Sequence, residues 1–304
     1  MTRKKHTTLQ VGIVGAGLMG RWHAHYARQL GARVSAVVDA DPATARALAQ
    51  RLPDARVFAD LAEMLRSLRP DALHVCTPLA THLPLVSQAV AAGIPALVEK
   101  PLTMSAAETK TVLDAAEGSK VLVCPVHQYA FQDGILFARS RLPRMGEVLH
   151  GRFTLCSAGG AGLDGAALDR IVADILPHPL SVIRALWPDS GLPVAAWTKH
   201  CPRPGEWRVS FVQGATTFEL CISMQARPTR SEFEILCSHG RIHLDFFHGY
   251  AVTEQGKVSR YRKIIRPMTY AARSLLAAGA NLARRGLHSE PAYPGLRRLM
   301  DAFY

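Results

Sequence analysis

"VGIVGAGLMG" (residues 11–20) decides how the first half of this chain folds. Val11, Ile13 and Val14 make a short β-branched run of the kind that forms a buried strand. Gly15-Ala16-Gly17-Leu18-Met19-Gly20 then spells GxGxxG, and an alanine-rich helical pattern follows to Leu30. After a strand and at the start of a helix, these glycines have distinct uses. One allows a tight turn, one lets backbone N–H groups approach a pyrophosphate, and one lets the helix pack close to the strand. Gly15, Gly17, Leu18, Met19 and Gly20 are therefore the expected cofactor-binding loop.

Asp39 lies 19 residues beyond Gly20, at the end of a second apolar run, VSAVVD. An acid there can accept hydrogen bonds from the adenosine ribose hydroxyls and would repel a 2′-phosphate. The first basic residue after it is Arg46, so the pattern favours NAD over NADP. The competing reading makes Asp39 only the start of the turn, or a cap for the helix after Asp41-Pro42.

Further along, β-rich runs alternate with helical patterns as far as Pro125: ARVFAD, ALHVCTP, PALVEK and KVLVCP. This alternation predicts an α/β unit, a doubly wound parallel sheet with helices on both faces. Ligands on such sheets sit at the carboxyl ends of the strands. That placement singles out Cys76, Thr77 and Pro78 in VCTPLATH, with Thr81 and His82 opening the next helix. A plain cap for Thr81 and a solvated first turn for His82 are the ordinary alternatives. It also singles out Glu99, Lys100 and Pro101, where a strand ends in a carboxylate, an ammonium and a proline. A lysine at a cleft edge can hold a substrate hydroxyl or carbonyl, whereas a surface ion pair is the commoner fate of Glu-Lys.

The chain's 304 residues and 48% hydrophobic content support one large or two ordinary domains with a substantial core. Residues 1–124 and 125–304 are the expected domains. No run approaches the roughly 20 apolar residues that span a bilayer, and MTRKKHTTLQ lacks the apolar core of a secretory signal, so a cytoplasmic location is expected. Six cysteines without a CxxC pair read as reduced core residues, and no metal site is expected. Residues 256–304 carry 10 Lys+Arg against 2 Asp+Glu, so most of the net charge of +12 is a C-terminal property.

These residues together resemble the Gfo/Idh/MocA oxidoreductases, the family named for glucose–fructose oxidoreductase and inositol dehydrogenase. The resemblance rests on GIVGAGLMG, Asp39, VCTPLATH and, above all, Glu99-Lys100-Pro101 about eighty residues after the glycines. It implies an N-terminal Rossmann domain and a C-terminal α+β domain with an open, mainly antiparallel sheet. It also implies that Lys100 contacts the reacting group, that the Lys100–Pro101 peptide is often cis, and that Thr77, Pro78, His82 and Glu99 adjoin the cofactor. Family members carry D-x-G-x-H-x-x-D in the second domain. VADILPHPLS supplies Asp174 and His178, with Leu176 and Ser181 departing from that pattern and Pro177 and Pro179 disturbing the helix. Losing a hydroxyl proton as hydride leaves carbon calls for an acceptor titrating near neutrality, which suits His178. Lys100, Asp174 and His178 are thus the expected catalytic residues. His127, in VHQYA, falls where the family holds substrate contacts, although the usual arginine-containing pattern is missing.

Strand-like runs follow from PVAAWTKHC to RIHLDFFHG, and the family resemblance implies that one sheet face pairs subunits into a dimer or tetramer. Residues 257–287 combine basic ends with an apolar middle interrupted by Pro267 and Gly279. They read either as a helix packed on the sheet with a solvated basic face, or as a segment resting on an anionic membrane or binding a phosphate-bearing substrate. Charge reversal at Arg284 and Arg285 would test the membrane reading. LRRLMDAFY reads as a helix that stops where family chains usually run on. Aromatic and basic residues interleave only around Tyr261 and Tyr270, which argues against a nucleic-acid partner. The expected function is a nicotinamide-dependent dehydrogenase or reductase for a sugar, polyol or nucleotide-linked sugar. The alternative is a non-catalytic nicotinamide-binding sensor on the same fold.

Overall fold

The computed structural model describes residues 8–189, 191, 196–256 and 260–304. Its chain divides into two compact units: the described residues up to Val126 together with Leu299–Tyr304, and His127–Arg298. The junction falls two residues beyond the expected one. The last six residues, expected in the second domain, pack with the first.

In the first unit, strands β1 (Gln10–Val14), β2 (Arg33–Val38), β3 (Arg56–Phe58), β4 (Ala72–Val75), β5 (Ala96–Val98) and β6 (Val123–Pro125) form one sheet in the order β3-β2-β1-β4-β5-β6. Every pairing is parallel. The expected Rossmann sheet is present, with its change of winding direction between β1 and β4, where such sheets open a ligand crevice. Strands β4 and β5 are buried throughout, as continuous apolar runs in a sheet covered on both faces must be. Helices α1 (Leu18–Gln29), α2 (Pro42–Ala49), α3 (Leu61–Ser67), α4 (His82–Ala91) and α5 (Ala106–Ser119) make the crossovers. Local chemistry sets several starts. The Asp41 carboxylate caps α2 beside Pro42, and Asp60 caps α3. Ser105 accepts from the Glu108 N–H while the Glu108 side chain accepts from the Met104 N–H, a capping box shifted by one residue.

The second unit is built on a seven-stranded sheet: β7 (Val148–Cys156), β8 (Thr198–Arg203), β9 (Glu206–Gln213), β10 (Thr216–Ser223), β11 (Arg230–Cys237), β12 (Gly240–Asp245) and β13 (Tyr250–Gln255). Its order is β13-β12-β11-β7-β10-β9-β8. All pairings are antiparallel except that of β7 with β10. Phe153, Phe211, Phe218 and Phe233 alternate onto the buried face, where Ile135 of α6 (Asp133–Arg141) and Val182 and Ile183 of α8 (Pro177–Leu186) join the same core. Part of the PVAAWTKHC run lies outside the described residues, and its strand begins at Thr198. Cys156 and Cys237 are buried as expected of core thiols, whereas Cys201, on edge strand β8, is exposed.

Residues 257–259 of the basic segment lie outside the described residues. The rest of it is one helix, α9 (Arg260–Leu287), continuous through Pro267 and Gly279, and LRRLMDAF forms α10 (Leu296–Phe303). No helix among the described residues is long and apolar enough to cross a membrane.

Candidate functional site

The glycine loop has the form its sequence requires. Gly15 sits at φ +93°, and a Cβ there would lie 2.7 Å from the Cys76 carbonyl oxygen. A side chain on Gly20 would collide with the Gly15 carbonyl, so α1 can approach β1 only through a glycine. Gly17 differs from both: a Cβ there would meet nothing within 4 Å. Gly17 also caps α1 without a side-chain hydrogen bond, and no acid stands in the first turn. Exposed Leu18 and half-buried Met19 follow it. A helix start whose amides face open space at a glycine is a cradle that a phosphate group fits.

Asp39 holds the rim of this cradle. Its Oδ2 accepts the Ala16 N–H at 2.7 Å and its Oδ1 accepts the Asp41 N–H at 2.9 Å. The carboxylate thus starts the turn and fastens the glycine loop. Each oxygen keeps lone-pair capacity for a further donor such as a ribose hydroxyl.

At the neighbouring strand ends, Thr77 is half-buried and Pro78 exposed. The Thr81 hydroxyl lies 2.7 Å from the Pro78 carbonyl oxygen and 2.8 Å from Thr77 Oγ1, and it does not cap α4. His82 is no solvated first-turn residue, being 1% exposed. Its Nδ1 is 2.9 Å from the Pro101 carbonyl and its Nε2 2.9 Å from the Thr77 carbonyl. The imidazole therefore sits between the tip of β4 and the turn after Lys100, donating to at least one of these two carbonyls, and the Lys100–Pro101 peptide in that turn is cis. Lys100 itself is half-buried.

Glu99 is buried and anchors a chain of side chains that sequence reasoning missed. Its Oε2 accepts the Lys100 N–H at 3.2 Å, and its Oε1 lies 3.2 Å from His23 Nε2. His23 Nδ1 is 3.1 Å from His74 Nδ1, and His74 Nε2 is 3.1 Å from the Tyr304 hydroxyl. One arrangement of protons satisfies every contact with neutral rings. Tyr304 donates to His74 Nε2, His74 Nδ1–H donates to His23, and His23 Nε2–H donates to the Glu99 carboxylate. The energetics agree. Burial and the neighbouring His23 hold the His74 imidazole well below its ordinary range, and burial raises the Tyr304 hydroxyl, so both remain uncharged. Burial and then the Glu99 charge push the Cys76 thiol well up, which keeps it protonated. A signal for this chain does exist in the sequence: His74 stands between Leu73 and Val75 in a strand otherwise apolar.

In the second unit, Asp174 and His178 do not share one uninterrupted helix. Asp174 is exposed near the end of α7 (Gly165–Ile175), and His178 is buried in the first turn of α8. Pro177 and Pro179 lack the N–H groups that would carry the backbone ladder across the junction at Leu176. The His178 ring stacks on Tyr129, centroids 4.2 Å apart and planes 16° apart. Tyr129 stacks on Phe246 at 5.0 Å, and Phe246 on Phe153 at 5.2 Å, so a column of rings sets the imidazole's plane. Within VHQYA, Tyr129 meets His178. His127 is half-buried before a short 3-10 turn, Gln128–Phe131.

Residues 9–127 match a family model described as an oxidoreductase family with an NAD-binding Rossmann fold, GFO_IDH_MocA. An inositol 2-dehydrogenase of Paracoccus denitrificans is 36% identical over 115 residues, which are 37% of this chain and 34% of that protein. The chain thus spans about a third of the length of the curated relatives it matches. Among solved structures, an inositol dehydrogenase homologue of Azotobacter vinelandii, complexed with NADH and myo-inositol, superposes with a TM-score of 0.71 at 17% identity, over 84% of this chain and 75% of that one. A UDP-N-acetylglucosamine 3-dehydrogenase of Acidithiobacillus ferrooxidans superposes at 0.68 with 18% identity, over 98% and 96%. At these identities the superpositions establish the fold of both units.

Proposed function

We propose that this chain, whose residues 9–127 match the model of an oxidoreductase family with an NAD-binding Rossmann fold, is an NAD-dependent dehydrogenase or reductase. The proposed substrate is a secondary alcohol or ketone of a sugar, polyol or nucleotide-linked sugar. The observation that carries this reading is the glycine cradle: open at Gly17, closed at Gly15 and Gly20, and rimmed by Asp39.

The amides at the start of α1 would hold the pyrophosphate, and Asp39 would take the ribose hydroxyls and disfavour a 2′-phosphate. The nicotinamide, when bound, supplies hydride acceptance or donation. Lys100 is assigned to donate a hydrogen bond to the reacting oxygen, polarising a ketone or stabilising an alkoxide as it forms. His178 is assigned the proton, removing it from the alcohol in oxidation and returning it to the ketone oxygen in reduction. Asp174 would balance the charge that His178 gains. His82 and Glu99 serve as positioning residues, bracing the segment that carries Lys100.

The test is a screen of polyols, sugars and nucleotide sugars, following absorbance of the reduced cofactor with wild type, Lys100→Ala and His178→Asn. On a true substrate each variant should lose about 10²- to 10⁴-fold in kcat/KM, the range for one acid-base or polarising group. Equal rates would remove that residue from the mechanism. Tight NAD binding by fluorescence, with no turnover across the panel, would replace the enzyme reading with a sensor.

A further inference from the structure

Helix α9 faces the wrong way for a helix packed on a protein. Ile264, Met268, Leu275, Leu276, Leu282 and Leu287 are 71–85% exposed. Ile264, Met268, Leu275 and Leu282 recur at intervals of four, seven and seven residues and form one line down the helix. Exposed Ala271, Ala272 and Ala283 fill the surface beside them. The polar side chains instead reach to edge strand β13 and the loops beyond it. Arg266 pairs with Glu254 at 3.2 Å, Arg273 donates to the Thr253 carbonyl at 3.1 Å, and Asn281 donates to the His248 carbonyl at 2.8 Å. Arg284 pairs with Asp133, and Arg285 donates to the carbonyls of His248, Glu290 and Pro291. A helix packed with a solvated basic face, the ordinary expectation, is therefore not what forms. Arg266, Arg273, Arg284 and Arg285 fasten it down and its leucines point outward.

We propose that this outward face docks on an anionic phospholipid surface, with α9 lying in the plane of the membrane interface. Charge decides between that occupant and a second copy of the chain. Residues 257–287 contain eight Lys and Arg and no Asp or Glu. Two such faces brought together would set like charge against like charge, since Lys263, Arg266 and Arg273 are exposed on each, whereas an anionic surface complements them. A second feature points the same way. Between α9 and strands β12 and β13 lies an open cavity of about 620 Å³ lined by Arg241, Lys263, Arg266, Thr269 and Arg273, with Glu254 the one acid among its described lining residues. Arg241 and Arg266 both pair with Glu254, and Arg241 also pairs with Glu234. Lys263, exposed at the mouth, remains to meet a phosphodiester headgroup. The acyl chains below that headgroup would meet the apolar line. Ile264 to Leu282 covers about 27 Å at 1.5 Å per residue, a length suited to lying along an interface.

The experiment is co-sedimentation of the full chain with vesicles of phosphatidylcholine and phosphatidylglycerol, and with phosphatidylcholine alone. Wild type should pellet with the anionic vesicles only, and added salt should release it. Leu275→Gln/Leu276→Gln should lose at least tenfold in vesicle affinity, and Lys263→Glu should lose severalfold. Unchanged NAD binding and circular dichroism would show that the variants still fold. Arg284 and Arg285 make poor probes, because they hold the helix to its own unit. Equal sedimentation of wild type and the double variant, or no sedimentation of wild type, would overturn the proposal. So would a concentration-dependent dimer abolished by the same double variant without vesicle binding, since that would assign the face to a second copy.

Discussion

His23 Nε2 stands 3.2 Å from Glu99 Oε1, joining the glycine-loop helix to the strand that ends in Lys100 across 76 residues of sequence. The pair is buried, so neither group can turn to water if the other is removed. Leaving a buried polar group unsatisfied costs about 1–3 kcal/mol. His23→Phe keeps the ring but strips Glu99 and His74 of a partner, and should lower unfolding free energy by about that amount in urea titrations. If Glu99 positions Lys100, the same variant should lower kcat more than it raises KM. A stability loss with unchanged kcat would leave His23 a packing residue.

Acid should weaken the first unit through His74. Its folded-state proton affinity is depressed, by burial first and His23 second, below the ordinary imidazole value of 6.5. Unfolded chains therefore take up a proton as pH falls below 6.5 while folded ones do not, and stability present above that pH is lost below it. One proton corresponds to a limiting slope of about 1.4 kcal/mol per pH unit. His74→Gln cannot titrate, so its stability should fall less steeply than wild type between about pH 6.5 and 5. Parallel curves for the two proteins would remove His74 from the acid response.

Gly15 and Gly17 should respond in opposite ways to one added methyl group. Gly15→Ala meets the Cys76 carbonyl at 2.7 Å with φ at +93°, so it should lower the melting temperature and impair NAD binding together. Gly17→Ala meets no protein atom within 4 Å and should leave the melting temperature unchanged. Its methyl would intrude where the pyrophosphate is proposed to lie, so the Kd for NAD should rise about tenfold or more, a cost of at least ~1.4 kcal/mol. Calorimetry on the two variants checks both halves, and unaltered NAD affinity in Gly17→Ala would remove the cradle from cofactor binding.

Cofactor choice is assigned to the Asp39 charge. Asp39→Asn keeps an acceptor for one backbone N–H but removes the repulsion of a 2′-phosphate. The ratio of kcat/KM for NAD over NADP should fall by about an order of magnitude. An unchanged ratio would place the discrimination elsewhere.

The column from His178 through Tyr129 to Phe246 invites a separate comparison. Tyr129→Phe preserves the stack and should be nearly silent, whereas Tyr129→Ala frees the imidazole plane and should lower kcat about tenfold or more. Equal activity in both would make the column structural only.

Short-range rules carried much of this protein by themselves. A β-branched run ending in GxGxxG, an acid at the next strand end and strict alternation to Pro125 determine a parallel sheet, because each rests on a few neighbouring residues and a period of 2.0 or 3.6. The strand ends at Thr77 and Lys100 follow from the same logic. The partners of Glu99 were beyond such rules. His23, His74 and Tyr304 come together only when β1, β4, α1 and the last residues pack as one unit, and a lone buried histidine reads the same with or without a partner. The orientation of α9 was equally closed to periodicity. The hydrophobic stripe is legible in residues 264–282, but which face turns inward was decided by Glu254, Thr253 and His248 on another part of the chain, whose carboxylate and carbonyls capture the helix's cations and amide.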